Sequence, residues 1–210
     1  MLDVTPAAAR FDLAYQIGTP PWVIGEPQPA IITLEQAGLI GGKVLDIGCG
    51  AGEHTILLTW LGYDVTGVDF APHAIAQASA NAAARGIDAH FEVADALHLG
   101  GGTTYDTIVD SALFHVFDDA DRARYVTSLQ AACHAGAVLH VLALSDAGRG
   151  FGPQVSEHTI RSAFGAGWDL EALDTTTYRG IVSPAHAEIL GVPAGTRVDE
   201  PAWLARARRR

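Results

Sequence analysis

The chain has 210 residues, 24 acidic against 13 basic side chains, and a formal net charge of −11. That balance, with Lys43 as its only lysine, argues against a nucleic-acid surface, which needs clustered Lys and Arg, and no window holds the roughly 18 uncharged apolar residues of a membrane span. The length suits a single domain (1–210) with a full sheet buried between helix layers, and two cysteines without metal or C-x-x-C spacing, behind an N-terminus lacking a basic-then-apolar leader, point to a reducing cytoplasm.

In chain order, residues 1–40 read as a flap and a helix. The piece Phe11–Pro29 holds Tyr15, Thr19-Pro20-Pro21-Trp22 and Gly25-Glu26-Pro27-Gln28-Pro29. Its prolines prevent a long helix, so an ordered flap able to close over a ligand is expected. A helix follows near Pro29–Ala37. The run Val44-Leu45-Asp46-Ile47-Gly48-Cys49-Gly50-Ala51-Gly52-Glu53-His54 then reads as a buried strand that stops in a glycine turn and enters a helix over His54–Leu61. Glycines let the backbone turn sharply and approach a ligand closely. A dinucleotide turn is spaced G-x-G-x-x-G without an acid in the strand. Here the spacing is G-x-G-x-G, and Asp46 stands two residues before the first glycine. Such an acid repels a pyrophosphate and suits a ligand carrying an ammonium and a sulfonium, which is S-adenosylmethionine. The cofactor-binding residues expected at this turn are Asp46, Gly48, Cys49, Gly50, Glu53 and His54. Cys49 fills a small space rather than acting as a nucleophile, and His54 packs or caps the first helical turn.

The next strand, Asp64–Phe70, ends in Asp69, about 20 residues past the glycines, where a carboxylate accepts both ribose hydroxyls. Phe70 can lie against an adenine. After a helix over Pro72–Arg85 with proline in its first turn, strand Ala89–Val93 leads to Ala94-Asp95-Ala96, placing Asp95 and Ala96 at the adenine. Strand Tyr105–Val109 ends in Asp110-Ser111, also assigned to the cofactor. Helix Asp119–Cys133, the nearly all-apolar central strand Ala137–Leu144, helix Ser156–Phe164 and strands near Asp169–Thr177 and within Ala202–Arg208 complete the alternation. Alternating elements of these lengths imply an α/β doubly wound, Rossmann-like seven-stranded sheet, mostly parallel with an antiparallel last strand and helices on both faces. The ligand then crosses the carboxyl ends of the strands, within a cofactor-binding core of residues 41–177. The stretch Tyr178–Pro201 is expected to be a long binding loop in a 178–210 substrate segment, and the arginines at 206, 208, 209 and 210 a solvated tail.

The wording Asp-x-Gly-x-Gly-x-Gly over 46–52 resembles motif I of class I methyltransferases. The phrases at 20–29 (PPWVIGEPQP), 44–50 (VLDIGCG), 110–119 (DSALFHVFDD) and 155–161 (VSEHTIR) are similar to small bacterial thiopurine- and tellurite-resistance-type enzymes, and most of all to actinobacterial O-methyltransferases of heterocyclic toxins such as N-hydroxyquinolones. The resemblance implies that the N-terminal Trp segment packs on the cofactor side, through Trp22 and Tyr15. Only Tyr178–Pro201 lacks a counterpart.

Transfer of a sulfonium methyl is an in-line displacement that needs chiefly positioning and removal of water. His115, in the loop after the fourth strand, is the candidate catalytic base, since an unperturbed imidazole titrates near 6.5; the alternative is a histidine that braces the loop. Tyr15, Phe114, His115, Phe117, Phe151 and Tyr178 are expected to wall the acceptor. No metal is expected, the histidines lacking ligand spacing and Asp118-Asp119 with Asp121 reading as an acidic helix start. The expected activity is methyl transfer to a small, largely apolar acceptor, on the oxygen of a hydroxylated heterocycle or phenol. Alternatives are a thiol, a fatty-acid carboxylate, or a non-catalytic cofactor-binding regulator; a nicotinamide-dependent reductase fits Asp69 but not Asp46. The assembly is expected to be a monomer or homodimer.

Overall fold

A computed structural model describes residues 6–100 and 104–210. Residues 1–5 of the expected N-terminal flap lie outside the described residues. Seven strands form one sheet: β1 Lys43–Ile47, β2 Asp64–Asp69, β3 His90–Val93, β4 Tyr105–Ser111, β5 Cys133–Leu144, β6 Trp168–Ile181 and β7 Arg197–Arg209. Their order is β3-β2-β1-β4-β5-β7-β6. β1 to β5 pair in parallel, and β7 enters antiparallel between β5 and β6. The expected mostly parallel, doubly wound sheet is thus the one observed.

The helices are α1 Pro6–Ile17, α2 Pro29–Gln36, α3 Glu53–Trp60, α4 Pro72–Ala84, α5 Asp119–Ala132, α6 Glu157–Ala163 and α7 Pro184–Leu190. Successive residues of a strand face opposite sides, so each central strand feeds two cores. Leu45, Ile47, Ile108, Leu139 and Val141 join Tyr125 and Leu129 of α5 and Ile160 of α6 on one face. Val44, Val65, Val109, Leu142 and Leu144 meet Ile31 and Leu34 of α2 and Leu58 of α3 on the other. This double burial is why these strands read as unbroken apolar runs.

Three expectations are corrected. The N-terminal piece is helical as far as Ile17, because Pro6 opens α1 where no N–H is needed and the next proline comes at Pro20. Tyr178–Pro201 is not one loop. β6 continues to Ile181 and β7 begins at Arg197, with α7 between them, capped by Ser183 Oγ and ended by the left-handed Gly191. The C-terminal arginines are no loose tail. They lie on or just past β7, where Ala205 and Ala207 turn into the core, Arg206 and Arg208 pair with Glu171, and Arg210 pairs with Asp169.

Candidate active site

The carboxyl ends of β1, β2 and β4 converge on the glycine turn. Gly48, Gly50 and Gly52 all have positive φ, at 71°, 54° and 84°, a region costly for any residue with a Cβ. The N–H groups of Gly48 and Cys49 both donate to Val68 O of β2, at 2.8 and 2.9 Å, which ties the turn to the neighbouring strand. Asp46 is 1 % exposed. Its Oδ2 accepts from Thr55 N at 3.1 Å and Thr55 Oγ1 at 2.6 Å, so it braces the first turn of α3. Its Oδ1 is sealed from solvent without a partner, as is Oε1 of Glu53. Burial lifts the Asp46 carboxyl to about 6 against the pull of the two Thr55 bonds, and burial raises Glu53 as well. The Cys49 thiol is buried and held well above its ordinary value by desolvation and the surrounding acids, which keeps it protonated and suits a packing role.

Asp69 closes the other side of the turn. Its Oδ2 accepts from Gly50 N and its Oδ1 from Ala71 N, each at 2.9 Å, while burial raises it. Phe70 follows, half-buried. Asp95 caps the short 3₁₀ turn Ala96–His98, accepting from Leu97 N at 2.9 Å and meeting His98 Nδ1 at 2.7 Å.

The β4 loop departs from expectation. Asp110 is wholly buried, with Oδ1 accepting from Leu113 N and Phe114 N and Oδ2 from Tyr125 Oη at 2.7 Å. Desolvation lifts it to about 7. Its carboxylate is therefore committed as a brace that folds the loop back onto α5. Ser111 Oγ is buried without a partner, and next to it Ala112, at φ 76°, is the one non-glycine residue with positive φ among the described residues. Phe114 is corrected too. It is fully buried, stacked on Phe164 with centroids 5.5 Å apart, and belongs to the core rather than to a pocket wall. Phe117, half-buried, packs on the Tyr125 ring. His115 has its Nδ1 lone pair engaged by Leu144 N at 2.9 Å, and desolvation lowers it to about 4. A neutral imidazole accepting at Nδ1 carries its proton on Nε2. The ring thus ties the β4 loop to β5 through Leu144 N, a bond to a neighbouring strand rather than the expected one inside the loop, and leaves Nε2 as a donor.

From the other side, α1 comes down on the turn. A Cβ on Gly50 would lie 2.6 Å from Tyr15 Oη, so that glycine makes room for the tyrosine. Tyr15 Oη accepts from Trp22 Nε1 at 2.8 Å, and Phe11 sets its edge against Trp22. Desolvation, with Asp69 nearby, holds the Tyr15 phenol well above its ordinary value. Asp12 of α1 engages both N and Nδ1 of His73 at the start of α4. The segment after α1 is bolted down by long-range partners. Gln28 pairs with both the N–H and C=O of Arg179, its own N–H donates to His54 Nε2 at 3.1 Å, and Arg197 binds Glu26 and Ile24 O. His54 is thus a neutral acceptor, lowered to about 4 by burial. Phe151 and Tyr178 are buried beside this flap, Phe151 stacked on His186 at 4.6 Å.

Among the described residues no three His, Cys, Asp or Glu side chains gather as a metal site would require. Asp118 caps α5, and Asp119 and Asp121 pair with Arg122 and Arg124. No helix among the described residues is long and apolar enough to cross a membrane.

The family described as a methyltransferase domain matches residues 44–143. A 2-heptyl-1-hydroxyquinolin-4(1H)-one methyltransferase of Mycobacteroides abscessus is 37 % identical over 178 residues, 80 % of this chain and 78 % of the relative. A solved structure from work on the conversion of a disulfide bond into a thioacetal group during echinomycin biosynthesis is 39 % identical, with a TM-score of 0.85 over 96 % of this chain and 92 % of that one. Magnesium protoporphyrin IX methyltransferase from Synechocystis, solved with S-adenosylmethionine bound, shares the fold at 21 % identity and a TM-score of 0.61, over 86 % and 76 % of the two chains.

Proposed function

Since the chain belongs to the S-adenosylmethionine-dependent methyltransferases, we propose that it transfers the methyl group to the oxygen of a small, largely apolar hydroxylated heterocycle or phenol. The observation that carries the acceptor class is the similarity, across four-fifths of this chain, to an enzyme named for a hydroxyquinolone. The cofactor supplies an electrophilic methyl on a positively charged sulfur. Residues of this chain suit such a ligand: Asp46 and Glu53 each hold a buried oxygen with no partner, and both carboxylates are raised by desolvation that a nearby cation would relieve. The backbone of Gly48 and Gly50 gives close approach. Asp69 keeps lone pairs for a ribose diol beyond the two it spends on Gly50 and Ala71, and Phe70, Asp95 and Ala96 stand where an adenine would follow. Trp22 serves by setting Tyr15. On the acceptor side Tyr15, Phe117 and the Nε2 edge of His115 would meet the substrate, with Ser111 beside them.

Oxygen has a rival in sulfur, favoured by the 39 % identity to the structure from thioacetal formation. Radiolabelled S-adenosylmethionine with a panel of hydroxyquinolones, phenols, thiols and fatty acids tests both. Labelled oxygen ethers support the proposal. Label on thiols alone would replace it by the sulfur reading.

A further inference from the structure

The groups around the transfer site share a property that bears on which acceptors it can use. A base must offer a free lone pair to the acceptor hydroxyl. His115 spends its Nδ1 lone pair on Leu144 N, and His54 spends Nε2 on Gln28 N. In each ring the second nitrogen must then carry the proton. Both oxygens of Asp110 are taken up by Leu113 N, Phe114 N and Tyr125 Oη. Tyr15 accepts from Trp22 Nε1, which leaves its O–H to donate, and no described residue receives it. Asp46, on β1, and Glu53, which opens α3, are the carboxylates already assigned to the cofactor's cationic end. What the site offers an acceptor is thus donors, His115 Nε2–H and Tyr15 O–H. Leu113, two residues before His115, packs over Gly48 as Tyr15 packs over Gly50, so the β4 loop and α1 both reach the glycine turn.

We infer that this enzyme holds no base for its acceptor and selects hydroxyl groups acidic enough to arrive as oxyanions, which His115 Nε2–H and Tyr15 O–H receive. The inference rests on the oxygen-transfer reading and narrows it. The proton leaves the acceptor in bulk water. In the site one lone pair of the anionic oxygen forms the O–CH₃ bond, the S–CH₃ bond breaks, and its electron pair returns to sulfur, so an anion and a sulfonium become two neutral centres. Desolvation of both charges on closure favours that step, since opposite charges attract more strongly once water is removed. The raised Tyr15 phenol and the lowered His115 imidazole agree, each holding its group neutral and donating at pH 7.

The test is kcat/KM at pH 7 for acceptors of matched size and graded acidity: N-hydroxyquinolones and phenols carrying successive electron-withdrawing substituents. A phenol with an ordinary value near 10 is ionised to about one part in 10³ at this pH, so it should react roughly 10³-fold more slowly than a fully ionised acceptor, less the lower nucleophilicity of the more stable anion. His115→Asn keeps an acceptor for Leu144 N but no longer reaches the acceptor. It should raise KM with kcat for an acidic acceptor falling less than about tenfold, where loss of a base costs about 10²–10⁴. His186→Asn, which removes a ring with one nitrogen near Ser183 Oγ and the other uncommitted, should leave kcat unchanged. Equal rates on acidic and ordinary phenols, or a loss of 10² or more in either histidine variant, overturns the inference while oxygen transfer stands. Methylation confined to thiols refutes the oxygen reading instead, and the same rise with acceptor ionisation is then expected at sulfur.

Discussion

Thr55→Val probes the most exposed energetic dependency of the site. Valine keeps the shape and β-branching of threonine and deletes only the hydroxyl. That hydroxyl gives Asp46 its shorter bond, 2.6 Å against 3.1 Å from Thr55 N, and Asp46 Oδ1 has no partner to compensate. A hydrogen bond to a charged group contributes about 1.5–3 kcal/mol, whereas one to a neutral acid contributes about 1. At pH 8, where Asp46 with its value of about 6 is ionised, Thr55→Val should cost about 2 kcal/mol; at pH 5, where it is protonated, about 1. The sign follows from Asp46 lying above its unfolded value of 3.8. The folded chain holds that proton more tightly than the unfolded one, so stability from this group is complete below 3.8 and declines as pH rises through about 6. The valine variant extends the decline upward, by about one pH unit for each 1.4 kcal/mol of lost charge stabilisation. Cofactor affinity runs the other way, because an ammonium needs the carboxylate, so it should climb through about pH 6 in the parent and about 0.7 of a unit higher in the variant. Urea unfolding at the two pH values and calorimetric titration of S-adenosylmethionine from pH 5 to 8.5 read both effects. An equal stability loss at pH 5 and 8 with an unmoved binding midpoint would mean that Thr55 merely packs, and would refute the argument.

Other perturbations separate the lid from its frame. Gly50→Ala meets Tyr15 Oη and a left-handed φ, so it should cost about 1 kcal/mol in urea unfolding yet weaken cofactor binding at least tenfold; unaltered binding would show that Tyr15 does not close the site. Gln28→Ala strips partners from Arg179 N and O and should lose about 1–3 kcal/mol while opening residues 19–28 to limited proteolysis; a protease-resistant variant would contradict the bolted flap. His54, lowered to about 4 from 6.5, contributes stability that is full above pH 6.5 and is lost as pH falls toward 4. His54→Asn should therefore narrow its stability gap from the parent by about 2 kcal/mol between pH 7.5 and pH 5, and a constant gap would argue against a neutral buried ring.

The parallel half of the fold was legible because its physics is local. Strands buried on both faces write continuous apolar runs, and Asp46, Asp69 and Asp95 mark strand ends by their spacing alone. The β6–β7 arm was legible only in its inner half, near Asp169–Thr177 and Ala202–Arg208; its outer half, to Ile181 and from Arg197, was not, since it is half-exposed and mixes Thr, Asp and Arg with its apolar positions. α7 did carry a readable signature in Ser183 before Pro184 and Gly191 at the other end, hidden by the count of prolines and glycines around it.

Site chemistry was less legible than site position, and His115 shows why. Its place after β4 follows from local pattern, but the atom that decides its role, Leu144 N, lies 29 residues away on β5. Likewise Asp110 becomes a brace through Tyr125, 15 residues on, and Gly50 is required partly by Tyr15, 35 residues before it. A sequence shows which groups can titrate. Which lone pairs remain free is settled by partners brought in from other strands, and on the inference drawn above that accounting turns the expected base into a donor. On that inference the proton removal that a base would have supplied rests on the acceptor's own acidity, so the limit on substrates lies in the acceptor's chemistry as much as in the shape of the pocket.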